Sequence, residues 1–558
     1  MKTLLSAGVS ATAMTMVLGG LFAATPAAAQ DASSIRAIQQ QIQQLQADLR
    51  RLQAQSASRD IALKQAQDEA TEARAAAETQ RRAAVALPAP SPMAVVTIPP
   101  NDKDAAGQPI YNPNKPNGKF NLGGVTVTLG GYVDLTGLYR TRNETRGTAT
   151  SFTGVPFAQS PDAHLGEFRM TGQQSRFSLL VQGNIDKDNA LAAFGEADFN
   201  NAAGGTNSVQ SSSYTPRLRQ AYVQYDNATF GLHLLGGQTW SLASAFRSGL
   251  SPRSEIQPMT IDTAYLPGYT YLRVPELRLT KDFGGKYWIA LAADDPQTVF
   301  GGTAVTPAGT TLVTGSGTGT VNPGAGGLNP ATNYSYSVAP DLILKAAADT
   351  AFGHYELFGL ARWFKDRVEF SAAPHSDTTS VTMGAGIGAS AYVPIVKNYL
   401  EFSANILYGS GIGRYGSGAL PDVTYKADGS LTALREVMGT VGLIGHPIPN
   451  VDVYAYYGLD QVQRQAFTVA AGSGGYGSYG DNTGCGTELS TLKCSSNNRQ
   501  VSEITTGFWW RFYKGAYGTV QTGAQYGLIE RQIFDGKGGS KTAPENIVYA
   551  GLRYTPFQ

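Results

Sequence analysis

From Leu122 to the C-terminus, apolar and polar residues alternate with a period of two. In GGVTVTLGGYVDLTGLYR, Val125, Val127, Leu129, Val133, Leu135 and Tyr139 share one parity, and Thr126, Thr128, Asp134, Thr136 and Arg140 share the other. QSRFSLLVQGNID repeats the pattern, with Phe177, Leu179, Val181 and Ile185 opposite Arg176, Ser178, Gln182 and Asn184. The closing NIVYAGLRYTPFQ sets Val548, Ala550, Leu552 and Tyr554 against Tyr549, Arg553 and Thr555. This spacing places alternate side chains on opposite faces of a strand. It predicts sixteen strands, near 125–140, 167–186, 190–200, 217–227, 229–240, 269–283, 286–295, 340–350, 354–366, 379–393, 398–411, 434–447, 451–465, 501–514, 516–533 and 545–557.

The connections sort the strands into an architecture. Short turns such as Asp186-Lys187-Asp188, Gly284-Gly285 and Pro449-Asn450 alternate with long Gly/Ser/Thr loops such as 201–216, 296–338 and 466–500. Segments of ten residues or more, apolar on one side and polar on the other, with short turns on one rim and long loops on the other, predict an all-β outer-membrane fold. The expected body is a sixteen-stranded antiparallel transmembrane β-barrel over 122–558. An even strand count puts both termini on the short-turn, periplasmic rim.

Ahead of the barrel the period changes. Ile35, Ile38, Ile42, Leu45, Leu49 and Leu52 follow one another at 3, 4, 3, 4 and 3 residues, the a/d seam of a heptad repeat. Residues 30–82 are read as a periplasmic α-helical coiled coil, and Ile at both seam positions of its first heptad favours three strands. The prolines at 88, 90, 92, 99, 100, 113 and 116 break any helix, so 83–121 reads as an extended linker. Lys2, a modest apolar run and Pro26-Ala27-Ala28-Ala29 form a signal peptide over 1–29.

Composition narrows the function classes. The chain has 65 Gly, 28 Tyr and 22 Phe, only 15% charged residues and a net charge of +1, with no polybasic tract to hold nucleic acid. Cys485 and Cys494, the two cysteines, lie in a polar loop; in an exported chain a disulfide is favoured over free thiols. GIGRYG at 411–416 matches a dinucleotide-loop pattern in letters alone, since Pro421 and a polar run follow it where a helix is needed. The five histidines are scattered, and neither a nucleophile elbow nor a metal-ligand spacing occurs, so no enzyme activity and no cofactor is expected.

The Ile35–Leu52 heptads, GGYVDLTGLYR, SRFSLLVQGNID and LLGGQTWS together resemble the trimeric bacterial outer-membrane porins, and among them the DcaP-like group with an N-terminal coiled coil. The resemblance implies a homotrimer embedded in outer-membrane lipid that passes small hydrophilic solutes, with small organic anions suggested by the DcaP-like group. It also implies that the third long loop, 241–268, folds inward; that loop carries Arg247, Arg253, Glu255 and Asp262. Arg176, Arg219 and Arg278 sit on the lumen parity at mid-strand. Such arginines bias a pore toward anions, or each simply pairs with a carboxylate such as Glu196, Asp198 or Glu276. A further alternative is a tether to peptidoglycan through the stalk, with the barrel as anchor.

Overall fold

The computed structural model describes residues 118–557, apart from 145–146, 201–211, 213, 306–309, 314–334, 371–376 and 516, together with five isolated upstream positions. Those five, Gln43, Gln46, Arg50, Lys64 and Asp68, are helical and exposed. The a/d seam, residues 83–117 of the linker and the signal peptide lie outside the described residues, and the linker's last residues, from Lys119, are already strand.

The period-two segments form sixteen antiparallel strands. They are β1 (Val125–Arg140), β2 (Glu167–Thr171 and Arg176–Asn184), β3 (Asn189–Asp198), β4 (Arg217–Asn227), β5 (Leu232–Trp240), β6 (Arg273–Phe283), β7 (Tyr287–Asp294) and β8 (Asp341–Thr350). The second half comprises β9 (Gly353–Phe370), β10 (Thr378–Val396), β11 (Leu400–Ser410), β12 (Arg435–Ile448), β13 (Val451–Val462), β14 (Asn498–Gly515), β15 (Gly518–Ile533) and β16 (Thr542–Thr555). Each pairs with its sequence neighbours. The ring closes where β16 meets β1, from Val133 opposite Tyr554 to Arg140 opposite Ile547. Closure leaves no unpaired sheet edge, which is how a barrel satisfies its backbone in lipid. Below that seam the short strand Lys119–Leu122 takes over the pairing with Val125–Thr128.

The turns follow from local chemistry. Asp186 Oδ1 accepts from the backbone N–H of Asp188 (2.8 Å) and Asn189 (2.9 Å), an Asx turn that reverses β2 into β3. Gly284 and Gly285 both have positive φ, 68° and 66°, which a Cβ would disfavour.

The pleat separates two environments. On β16, Val548 and Leu552 are 50% and 46% exposed on the outside, whereas Tyr549 between them is 1% exposed and points inward. The same outward face carries Leu135, Leu179, Leu279, Leu344, Leu443 and Ile504 around the ring, the apolar band that a bilayer requires. Phe508, Trp510 and Phe512 of β14 are exposed there too, as the alternation predicts.

Two details differ from the sequence reading. The expected strand 167–186 is broken: Gly172–Ser175 puts four residues opposite three of β1 (Val133–Leu135), between the pairs Thr136–Thr171 and Tyr132–Arg176. The extra residue is a β-bulge, and it flips the parity, so Phe168 and Met170 face outward above it and Phe177 and Leu179 below it. Trp240, whose place at a strand end beside a long loop predicts a girdle aromatic, is fully buried. Its ring packs within the barrel against Tyr265, Tyr269 and Tyr271, at centroid separations of 6.3, 5.9 and 5.7 Å.

Candidate functional site

The connection between β5 and β6, residues 241–272, crosses the interior of the barrel. Its first limb is seated on β7–β9. Leu242, Phe246 and Leu250 pack with Trp288, Ile343 and Phe358. The small inward residues Ala290, Ala292 and Ala347 on these strands belong to the same cluster. The backbone is tied down as well. Phe246 N–H donates to Glu356 Oε1 at 2.8 Å, Gly249 N–H to Asp349 Oδ2 at 3.0 Å, and Lys345 Nζ to Ser244 O at 2.6 Å. Lys345 also pairs with Glu356 (2.9 Å), and His354 bridges Asp349 (2.6 Å) and Glu356 (3.0 Å).

The limb then doubles back, with Arg247 N–H donating to Ser254 O (2.8 Å) and Ile256 N–H to Ala245 O (2.7 Å). Arg253 takes a φ of 71° at this reversal.

The second limb reaches the opposite wall. Met259 N–H donates to the Tyr456 hydroxyl (3.2 Å), Trp509 Nε1 donates to Met259 O (2.8 Å), and Ile261 N–H donates to Gln525 Oε1 (2.5 Å). Past this crossing the chain lies flush on the wall. At Gly268, with φ of 79°, a Cβ would fall 2.0 Å from Gly439 O. Only glycine allows that approach.

Beside the second limb lies a cavity of about 260 Å³. The barrel wall contributes four arginines to it: Arg176 of β2, Arg219 of β4, Arg511 of β14 and Arg553 of β16. The loop contributes Pro258, Met259 and Ile261 together with the polar Gln257, Thr260, Thr263 and Tyr265. Asp262 and Asp452 are the two carboxylates among its lining residues, so the formal balance of the lining is four positive to two negative.

The guanidinium groups are held rather than free. Arg553 pairs with Asp134 at 2.9 Å and is sandwiched by the rings of Tyr132 (4.0 Å) and Trp509 (4.7 Å). Arg511 is bidentate on Asp452, one contact being 3.0 Å. Arg219 contacts Glu196 (2.6 Å) and Asp198 (2.9 Å), and Arg176 reaches Glu196 at 3.5 Å. Arg273, above them, stacks 5.0 Å from the Trp240 ring centroid and donates to the Tyr271 hydroxyl at 3.1 Å. Planar forks fixed by carboxylates and aromatic faces keep their remaining N–H groups aimed in constant directions.

The sequence-selected residues fall in three places. Arg176, Arg219 and Asp262 line the cavity. Asp262, though it lines the cavity, is 1% exposed and directs Oδ1 at the N–H groups of Thr150 (3.4 Å) and Ala264 (2.8 Å); its burial raises its carboxyl above the usual range. Arg278 is buried behind the first limb, on Glu276 (2.6 Å) and Trp240 O (2.6 Å), as the ion-pair alternative anticipates. Glu255 lies between these groups, and burial pushes its carboxyl up to about 7 against the opposing pull of Arg278.

Arg247 reaches Glu401 (3.5 Å) and the Tyr392 hydroxyl (3.3 Å), while Arg253 is exposed over the Phe194 ring. Cys485 and Cys494 are joined as a disulfide in the loop between β13 and β14. Arg511 was not singled out in the sequence. Its parity, opposite to that of the outward Phe508, Trp510 and Phe512, carries the signal. Among the described residues, no group of three or more His, Cys, Asp or Glu side chains is placed to hold a metal ion.

A closed sixteen-stranded barrel with an inward loop between β5 and β6 has the fold of the bacterial outer-membrane porins. In particular, the chain is similar to the outer membrane channel DcaP of Acinetobacter baumannii, at a TM-score of 0.52 and 18% identity, covering 78% of this chain and 99% of that one. It is also similar to the anion-selective porin from Comamonas acidovorans (TM-score 0.40, 12% identity, 77% of this chain, 99% of that one). A further similar structure is the Salmonella typhi OmpF complex with daunomycin (0.40, 10%, 78% and 99%). No protein-family model and no curated protein sequence matches the chain.

Proposed function

We propose that the protein is an outer-membrane channel through which small hydrophilic solutes diffuse passively, and that it favours small organic anions. The observation that carries the reading is the arginine wall: four fixed guanidinium groups facing a loop across a cavity of about 260 Å³. Fixed positive groups in a narrow, partly desolvated space lower the barrier for anions and raise it for cations. Loop 241–268 narrows the passage, with Arg176, Arg219, Arg511 and Arg553 as its selective wall. Arg247, Arg253, Glu255 and Asp262 shape the loop itself, and Arg278 holds its root.

The protein acts in the outer membrane as a homotrimer. The Ile/Leu seam over 35–52 supports a three-stranded periplasmic stalk.

Planar-bilayer recording of the full mature chain in a KCl gradient tests the reading. A reversal potential of the sign for chloride preference, with current closing in three equal steps, is the expected result. Cation preference would remove the arginine wall as the selective element, and absence of conductance would remove the channel. Deleting residues 30–120 separates channel from tether, since a tether would lose its role while bilayer conductance persists.

A further inference from the structure

The bulge in β2 places a residue in the cavity that no ion pair or aromatic stack explains. Gln174 is 1% exposed, lines the cavity, and has no hydrogen-bond partner at either its amide oxygen or its amide nitrogen. The bulge is a built feature. Ser175 Oγ accepts the Asp134 N–H at 3.0 Å, Ser175 N–H donates to Gly172 O at 3.1 Å, and Phe199 N–H donates to Gln173 O at 3.1 Å. These bonds hold the backbone on either side of Gln174. Two residues on, Arg176 keeps Nε without a partner, and across the cavity wall Arg219 does the same with Nη2. A buried amide costs free energy unless something pairs with it. Here a neutral donor-acceptor stands beside two guanidinium donors and opposite the apolar Pro258, Met259 and Ile261.

We infer that Gln174 determines specificity in this cavity, and that the solute it selects is a small carboxylate bearing a hydroxyl or carboxamide group. The carboxylate lies on the spare N–H groups of Arg176 and Arg219. The second polar group exchanges hydrogen bonds with the Gln174 amide, and the carbon skeleton lies along Pro258 and Met259. A plain alkanoate of the same charge and length would leave that amide unpaired. Sites built to hydrogen-bond a solute hydroxyl discriminate against analogues lacking it. The inference rests on the anion-channel reading and names its solute class.

The test compares 3-hydroxybutyrate with butyrate on the full mature channel in planar bilayers, reading the concentration of each that halves the chloride current. The expected result is a half-blocking concentration about 3- to 10-fold lower for 3-hydroxybutyrate, the range of one neutral hydrogen bond. In Gln174→Met the two half-blocking concentrations converge. Gln174→Asn, with a shorter amide, reads the same contrast should the Met variant fail to insert, and is expected to narrow it.

Equal block by the two solutes in the wild type, or an undiminished difference in Gln174→Met, would overturn the inference. The KCl reversal potential recorded on the same channels keeps the two readings apart. Cation preference overturns the anion channel, whereas chloride preference without discrimination overturns the role of Gln174 alone.

Discussion

The two sides of this lumen solve different problems with the same pleat. Along β7–β9 the inward positions include Ala290, Ala292, Ile343, Ala347 and Phe358, and the first limb of the inward loop fills the space they leave. Around β2, β4, β14 and β16 the inward positions carry arginine, and the second limb stands off from them across a cavity. One side is a hydrophobic core with a small buried charge cluster at its foot; the other is a polar wall beside an open cavity. The contrast shows that the barrel supplies only a frame. Which part of the frame becomes passage is set by which inward residues are small enough to seat the loop.

Charge reversal on the open side should have the largest effect. Arg176→Glu combined with Arg553→Glu removes two positive groups and adds two negative ones, and is expected to invert the sign of the reversal potential in a KCl gradient. The permeability ratio should change by about tenfold or more, and an unchanged sign would show that this wall does not select.

On the sealed side, Glu356→Ala strands Lys345 and frees the backbone N–H of Phe246. Losing one partner of a buried pair costs about 3–5 kcal/mol. Denaturant unfolding should report that loss, and single-channel records should show a larger, noisier conductance as the first limb lifts. Stable wild-type current would mean that the Glu356 contacts are not needed to seat the loop.

Cys485→Ser touches neither side directly. Opening a loop of this size removes about 2–3 kcal/mol of constraint by the chain-entropy argument. Limited proteolysis should begin to cut within 486–493 while conductance stays at the wild-type level.

The smallest effect concerns pH. Glu255, whose neighbours are Arg278, Glu196, Tyr222 and Arg253, has its carboxyl pushed up to about 7. It is neutral below that value and negative above it, so raising pH from 6 to 8 adds one negative charge inside the loop. Anion preference should fall by about twofold over that interval, and Glu255→Gln should flatten the profile.

Much of the fold was legible in the alternation because a strand crossing lipid has no freedom on its outer face. Leu135, Leu279, Ile504 and Val548 had to be apolar, so their parity assigns the opposite residues to the lumen. The inward parity of Arg553 followed directly, and that of Arg511 was open to the same reasoning. The bulge at Gly172–Ser175 was not legible. One extra residue in a strand leaves local composition unchanged, yet it exchanges the faces of everything beyond it. Glu167 and Arg169 read as outward by simple continuation from Phe177, but in the barrel they meet Arg140 and each other.

The sequence by itself determined the closed barrel, its two rims and the polar character of its interior, because hydrogen-bond closure and lipid contact constrain every strand alike. Only the tertiary structure decided which inward arginines share a cavity and which, like Arg278, are spent behind the loop. That outcome depends on where residues 241–272 cross, and the crossing is set by shape: alanines on β7 and β8 admit Phe246, and Gln525 and Trp509 on the far wall catch the backbone at Met259 and Ile261. The far-wall contacts join residues 250 and 264 positions apart, which no local pattern encodes.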